Sequence, residues 1–297
     1  MMFDKLKTLS CVKHAWQGKV RDIYDLGDKL LIVTSDRISA FDVVFPTPIP
    51  DKGRILTQIS VHIFKSTADM VPNHFLSDQV SDFPAEFLPF AEYLKGRSML
   101  VRKTRVIPFE CIVRGYITGS AWSEYKRSNT IGGMLLPDEM QESQRFAKPL
   151  FTPSTKADSG HDVNISYRDM LSRMDEWLAT RIKNYSLKMY EYAHDLLWDK
   201  GIVVADTKLE FGTIGNEVLL IDEALTPDSS RFWDAGSYQI GQTPLSYDKQ
   251  YLRDYLEQLG WDKTPPAPEL PQEVIEQTRD KYIQIYRIIT QDETTKW

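Results

Sequence analysis

Two apolar runs, Gly201 to Phe211 (GIVVADTKLEF) and Glu217 to Ile221 (EVLLI), are separated only by Gly212-Thr213-Ile214-Gly215-Asn216. Runs of strand length this close together bury their apolar residues by folding back on each other, so the spacing predicts an antiparallel hairpin with a longer loop. Strand alternation puts Asp206, Lys208 and Glu210 on one face, and the turn brings Asp222, at the end of the partner strand, roughly opposite Glu210. Carboxylates facing each other across strands repel unless a cation lies between them. Hard oxygen ligands of this kind, completed by phosphate oxygens, describe a nucleotide-bound Mg²⁺ site. Alternating charge is equally ordinary on a solvated strand face, and these residues by themselves leave both readings open.

Upstream, Lys29 to Thr34 (KLLIVT) is a compact β-rich run entered through a Gly27-Asp28 turn. Ser98 to Val106 (SMLVRKTRV) and Glu110 to Arg114 (ECIVR) predict further strands, with Pro108 between them where a connection is expected. That break divides a β-rich N-terminal lobe, residues 1–108, from a second lobe, residues 109–297. In the second lobe, Ser166 with Asp169 three residues on forms a capping-box pattern. Trp177, Leu178, Ile182, Leu187, Tyr190, Ala193 and Leu197 then recur at helical spacing until Gly201, predicting one short helix and one long one. The chain closes with a helical pattern over Tyr251 to Leu259, the linker TPPAPELP, and a helical segment opening at Pro271. Strand-rich and helical parts that do not alternate regularly give an α+β class.

Composition narrows the function. With 36 Lys+Arg against 42 Asp+Glu, the formal charge of -6 speaks against a broad nucleic-acid footprint or an anionic membrane surface, so neither is expected as a partner. The first residues, MMFDKLKTLSCVKHAWQGK, show no apolar core or small-residue cleavage site, and a cytoplasmic protein is expected. The two cysteines, Cys11 and Cys111, are far apart and outside any CxxC pair. They predict buried thiols, not a disulfide framework or a cysteine metal site.

Several loops carry the residue types that bind anions. Gly18-Lys19-Val20-Arg21-Asp22 precedes a predicted strand, where a glycine lets backbone approach a phosphate and Lys19 or Arg21 adds charge; a simple surface turn would look the same. Ser35-Asp36-Arg37-Ile38-Ser39-Ala40-Phe41-Asp42 follows a strand and reads either as a ligand loop or as a capped turn. Arg114-Gly115-Tyr116-Ile117-Thr118-Gly119-Ser120 combines an arginine, two glycines and two hydroxyls, suited to bidentate binding of a carboxylate or phosphate. Thr152 to Asp158 (TPSTKAD), followed by His161, and Asp222 to Arg231 (DEALTPDSSR) are further hydroxyl- and charge-rich loops. His161 alone reads as a surface residue.

In this order, GKVRD, SDRISAFD, IPDKGRILTQIS, IVRGYITGSAW, LFTPSTKA, DTKLEFG, IDEALTPDSSRFW and SYDKQYLRD resemble the phosphoribosylaminoimidazole-succinocarboxamide synthase (SAICAR synthetase) family, in its longer, fungal-type form. The resemblance implies a two-lobed fold whose nucleotide cleft is similar to those of ATP-grasp enzymes and protein kinases. It also implies an ATP- and Mg²⁺-dependent ligase that joins L-aspartate to carboxyaminoimidazole ribonucleotide (CAIR), giving the succinocarboxamide (SAICAR), ADP and phosphate. Residue by residue, it gives Gly18, Lys19, Val20 and Arg21 to the ATP phosphates, Glu210 and Asp222 to the metal, and Lys208 to the reacting centre beside them. Arg114, Ser120 and Arg231 go to the ribonucleotide, Arg231 to its phosphate. Ser154, Thr155, Lys156, Asp36 and Arg37 carry over as further substrate contacts. A monomer is expected, with a homodimer as the alternative.

Such a reaction explains the residue types. A carboxylate does not accept an amine until it is activated, and activation by ATP needs charge stabilisation around the transferring phosphoryl group more than it needs a protein nucleophile. Nothing resembling GxSxG is present. Two other readings compete: a small-molecule kinase on the same nucleotide site, and a non-catalytic nucleotide-binding protein. The first would show HRD or DFG strings, which are absent; the second would lose the metal carboxylates, which are present.

Overall fold

The computed structural model describes residues 2–155 and 163–295, so Lys156 and His161 lie outside the described residues. The described residues fall into two compact units: those within Met1–Ser66, His74–Thr104 and Asp248–Trp297, and those within Thr67–Asn73 and Arg105–Tyr247.

The first unit is built on a five-stranded antiparallel sheet in the order His14–Gln17, Arg21–Asp25, Lys29–Thr34, Ser98–Arg102, Phe75–Ser77. Lys29–Thr34 sits at its centre as the apolar run predicts, and Tyr24, Leu31, Val33 and Leu100 share a buried core with Leu6, Phe83, Phe87 and Leu94. The helix Lys52–Ser66 has no counterpart in the sequence reading. It buries Ile55, Leu56, Ile59 and Ile63 but also Gly53, Thr57, Ser60 and Val61, so its burial extends too far round to leave a clean apolar stripe. Sequence reasoning ends the first lobe at residue 108, whereas the helices Gln250–Gln258 and Gln272–Thr290 group with this first unit. Leu252, Leu256, Val274 and Ile275 share one core with Ile38, Phe45 and Ile49, a contact spanning some two hundred residues that periodicity cannot reveal.

The second unit is organised around one long strand, Ile202–Ile214. On one edge it pairs antiparallel with Phe109–Tyr116 and then Arg105–Val106; on the other it pairs with Ser230–Asp234 and then Glu217–Ile221. Arg145–Thr155 and Val163–Asn164 extend the sheet beyond Phe109–Tyr116. The hairpin predicted from the two apolar runs is present, but pairing continues to Ile214 and Glu217, so the turn is shorter than expected. Two further departures have clear causes. The SMLVRKTRV run divides between the sheets of the two units, at Ser98–Arg102 and Arg105–Val106. The LFTPST segment, read as a loop, is strand despite its prolines. Pro149 lies where the register with Phe109–Tyr116 is broken, and Pro153 directs its carbonyl to Ile165 N at 2.9 Å, so its missing N–H falls on the thinly covered edge of the strand.

The long helix Glu176–Trp198 covers one face of this sheet. It buries Ala179, Ile182, Ser186, Met189, Tyr190, Ala193 and Leu197 at three- and four-residue intervals, the pattern expected of an amphipathic helix. Tyr190 donates its hydroxyl hydrogen to Val204 O at 2.8 Å and occupies the space that a Cβ on Gly115 would need, which is why a glycine stands in the VRGYITG segment. The capping box is formed as predicted: Ser166 Oγ accepts from Asp169 N, and Ser166 N donates to the Asp169 carboxylate, starting the short helix Tyr167–Leu171.

Candidate active site

With one face of the second unit's sheet covered by the long helix, the other carries the charge. Along Ile202–Ile214, residues 206, 208 and 210 share that face, and the neighbouring strand contributes Glu110 and Arg114. Asp206 lies directly opposite Arg114 on one side and directly opposite Arg231 on the other. Its Oδ2 accepts from Arg114 Nη1 at 3.0 Å and, in a short contact, from Arg231 Nη1. Arg114 also donates from Nε to Thr152 Oγ1 at 2.9 Å and from Nη2 to Ser120 Oγ at 3.3 Å.

Arg114 is 2% exposed. Burial pulls its guanidinium pKa down, Asp206 opposes that shift and Arg231 adds to it, yet an arginine remains charged throughout the range in which proteins fold. Two guanidinium groups thus meet at the Asp206 carboxylate, and Glu124 is a further negative charge acting on Arg114. The packing is specific. Gly119, with φ of 56, stands against the Arg231 guanidinium so closely that a Cβ would overlap it, and the helix Gly119–Ser128 begins there.

Two residues further along the strand, Lys208 donates from Nζ to Glu110 Oε1 at 2.5 Å and lies 3.9 Å from Glu210 Oε1. Burial alone would lower the Lys208 pKa, but Glu110, then Glu210 and Glu223, outweigh it and hold the ammonium well above its ordinary range. The face therefore carries two arginines around Asp206 at one end and two glutamates around Lys208 at the other, Glu210 lying roughly 13 Å from Asp206 at strand spacing. Ser154, 2% exposed on Arg145–Thr155 and paired in register with Glu110, has an Oγ with no hydrogen-bond partner among the described residues.

Glu210 pairs in register with Ile221, so Asp222 stands one residue past the expected position. Its φ of 63 ends the strand alternation there, and period-two counting no longer assigns its face. Among the described residues no group of three or more His, Cys, Asp or Glu is placed to hold a metal. A donor set of one or two carboxylates fits Mg²⁺, which keeps waters and substrate phosphates in its shell, and the two glutamates beside Lys208 suit a hard cation.

The first unit holds the other residues singled out by sequence. Gly18, Lys19 and Val20 form the turn between His14–Gln17 and Arg21–Asp25, and Arg21 opens the second of these strands. Val20 is buried, so its side chain anchors the turn. Lys19 Nζ meets the Asp42 carboxylate at 2.6 Å with both side chains about half exposed, an ion pair of little net strength. Asp36 accepts from Arg97 Nη1 and Nη2 at 3.0 and 3.1 Å and from Gly53 N at 2.9 Å, at the start of the helix Lys52–Ser66. Arg37 donates to the turn itself and to Asp22.

The structure brings Lys208, Glu210, Arg114, Ser120 and Arg231 to the second unit's sheet or beside it, and places Arg231, expected in a loop, in the strand Ser230–Asp234. Sequence reasoning assigns no role to Glu110, Asp206 or Thr152. For Glu110 and Asp206 the signal was the complementarity of ECIVR with DTKLE, in which Glu110 and Arg114 share one face and meet Lys208 and Asp206 once the strands are paired antiparallel.

Comparison with known proteins fits this arrangement. The sequence model of the family described as SAICAR synthetase matches residues 14–268. The phosphoribosylaminoimidazole-succinocarboxamide synthase of Geotalea uraniireducens is 53% identical over 274 residues, 92% of this chain and 93% of that one, and that of Thermodesulfovibrio yellowstonii is 50% identical over 95% and 97%. Near-full coverage of these bacterial chains shows that a chain of this length is not peculiar to fungi. The SAICAR synthase of Saccharomyces cerevisiae, solved with SAICAR, superposes with a TM-score of 0.86 at 42% identity over 97% of both chains. A SAICAR synthetase solved with ADP superposes with a TM-score of 0.70 at 25% identity, over 95% of this chain and all of that one. With a family match over most of its length, relatives at about half identity and an α+β fold shared end to end, the chain belongs to the SAICAR synthetase family.

Proposed function

We infer that the chain, an ATP-dependent ligase of purine biosynthesis, joins L-aspartate to the carboxylate of CAIR to give SAICAR, ADP and phosphate. The observation that carries the site reading is the separation of arginines from glutamates along the charged sheet face. The Arg114 and Arg231 guanidinium groups suit the anionic groups of the ribonucleotide, with planar donors that match phosphate or carboxylate geometry, and Asp206 orients both. Ser120 and Thr152 hold Arg114 through two more of its donors, and the buried Ser154 Oγ, without a hydrogen-bond partner among the described residues, lies on the adjoining strand.

At the glutamate end, Glu210 and Asp222 are the residues that would hold Mg²⁺. The ion, when bound with ATP, would offset the negative charge of the phosphates. Lys208, kept charged by Glu110 and Glu210, would supply positive charge to the transferring phosphoryl group. In the turn, Lys19 and Arg21 serve the ATP phosphates. The chemistry proceeds by attack of a CAIR carboxylate oxygen on the γ-phosphorus with departure of ADP. The aspartate nitrogen then attacks the acyl carbon, phosphate leaves, and the nitrogen gives up a proton. No protein nucleophile is needed.

The test is mass detection of the succinocarboxamide ribonucleotide after incubation with CAIR, ATP, Mg²⁺ and L-aspartate, with each component omitted in turn. The reading requires product only from the full mixture. Release of ADP with CAIR alone, without aspartate and with a stable phosphorylated CAIR as the product, would instead favour a kinase.

A further inference from the structure

The SDRISAFD segment is not absorbed by the substrate site above, and its hydrogen bonds point to a different task. Each carbonyl of the 18–21 turn is engaged. Gly18 O accepts from Arg37 Nη2 at 3.0 Å, Lys19 O from Arg37 Nε at 3.1 Å, Val20 O from Ser35 Oγ at 2.6 Å and Ser35 N at 2.9 Å, and Arg21 O from Gly18 N at 2.7 Å. Three of the four are thus held by Ser35 and Arg37. The same Arg37 Nη2 meets Asp22 Oδ1 at 2.6 Å, and Asp22 is only 2% exposed. Asp42, from the end of the segment, pairs with Lys19.

Backbone oxygens and a buried carboxylate are what a phosphate must not meet. A carbonyl carries partial negative charge, and an uncompensated Asp22 beside the turn would repel an anion across a poorly screened distance. We propose that Arg37 is a positioning residue for the nucleotide turn: it draws the Gly18 and Lys19 carbonyls away from the ligand and neutralises Asp22, so that the turn presents net positive charge to the ATP phosphates. The proposal rests on the reading that this turn takes those phosphates. A lysine cannot replace Arg37, because one ammonium does not reproduce a planar fork that serves two carbonyls and a carboxylate at once.

The experiment compares Arg37→Gln, Asp22→Asn/Arg37→Gln and Lys19→Ala by substrate titration and by hydrogen exchange of the amides of residues 18–22. Arg37→Gln is expected to raise the KM for ATP roughly tenfold while those for CAIR and aspartate stay within about twofold, and to speed exchange across the turn. Adding Asp22→Asn should restore most of the ATP affinity without restoring the exchange protection, a split that a merely structural role would not produce. If Arg37→Gln does not fold, Arg37→Lys carries the same test, with faster exchange and a smaller rise in the ATP constant. A rise in the CAIR or aspartate constant with ATP unaffected, or unchanged exchange at residues 18–22, overturns the proposal. Faster exchange with ATP affinity unchanged in both Arg37→Gln and Lys19→Ala would uphold the bracket but overturn the nucleotide assignment beneath it.

Discussion

The 18–21 turn and the charged sheet face are organised at very different ranges along the chain. In the turn, every partner named above lies within residues 18–42, and the groups being arranged are backbone carbonyls. On the sheet face, Arg114 and Asp206 are 92 residues apart, Lys208 and Glu110 are 98 apart, and the groups being arranged are buried or partly buried charges. The bracket mixes half-exposed groups, Lys19 and Asp42, with a buried carboxylate, Asp22, that Arg37 neutralises. A buried charge that loses its partner has no water to turn to, so the sheet face couples stability to chemistry much more tightly.

That contrast can be broken experimentally. The largest effect is expected at the glutamate end, where Glu210→Gln and Asp222→Asn each remove a proposed Mg²⁺ ligand with little change in size. Turnover should fall by on the order of a thousandfold, several kcal/mol of transition-state stabilisation, with a circular dichroism melt of each variant separating that loss from unfolding. Near-parental activity at saturating Mg²⁺ in both variants would remove these residues from the metal site.

Next in size is Asp206→Asn, which leaves two guanidinium groups, one of them fully buried, without their carboxylate. Destabilisation of about 3 to 5 kcal/mol is expected in urea titrations, because breaking a buried pair strands a charge. A loss below about 1 kcal/mol would place this pair with ordinary surface ion pairs and erase the distinction drawn here. Smallest is Ser166→Ala, away from both regions. Losing the capping box should cost about 1 kcal/mol of stability, with substrate constants unchanged.

The same difference in range explains what was legible in the sequence. Hydrophobic period and local chemistry are enough to read Lys29–Thr34, the capping box at Ser166, the helix ending near Gly201 and the hairpin of the long strand. The positions of Lys208 and Glu210 on one face follow from alternation. The roles of Asp206 and Glu110 were hidden because they depend on which strands lie side by side, and one residue of register would move every side chain to the other face. Arg231 looks like a loop residue because Pro227, Asp228 and two serines precede it; only pairing with the long strand makes its segment a strand. The partners of Arg37 were hidden for another reason. A guanidinium that hydrogen-bonds backbone carbonyls leaves no trace in residue identity, because every residue carries a carbonyl.

The proposed division of labour gives the turn to ATP and the arginine end of the sheet face to CAIR, and a crossed titration of Arg231→Lys and Lys19→Ala, varying ATP and CAIR separately with the other substrates saturating, separates the two. The account predicts that Arg231→Lys raises the CAIR constant on the order of ten- to a hundredfold and leaves that for ATP within about twofold, since a charge-assisted, planar hydrogen-bonding group is lost. Lys19→Ala should do the reverse, raising the ATP constant and sparing CAIR. A rise in the ATP constant for Arg231→Lys, with CAIR unaffected, would contradict the account.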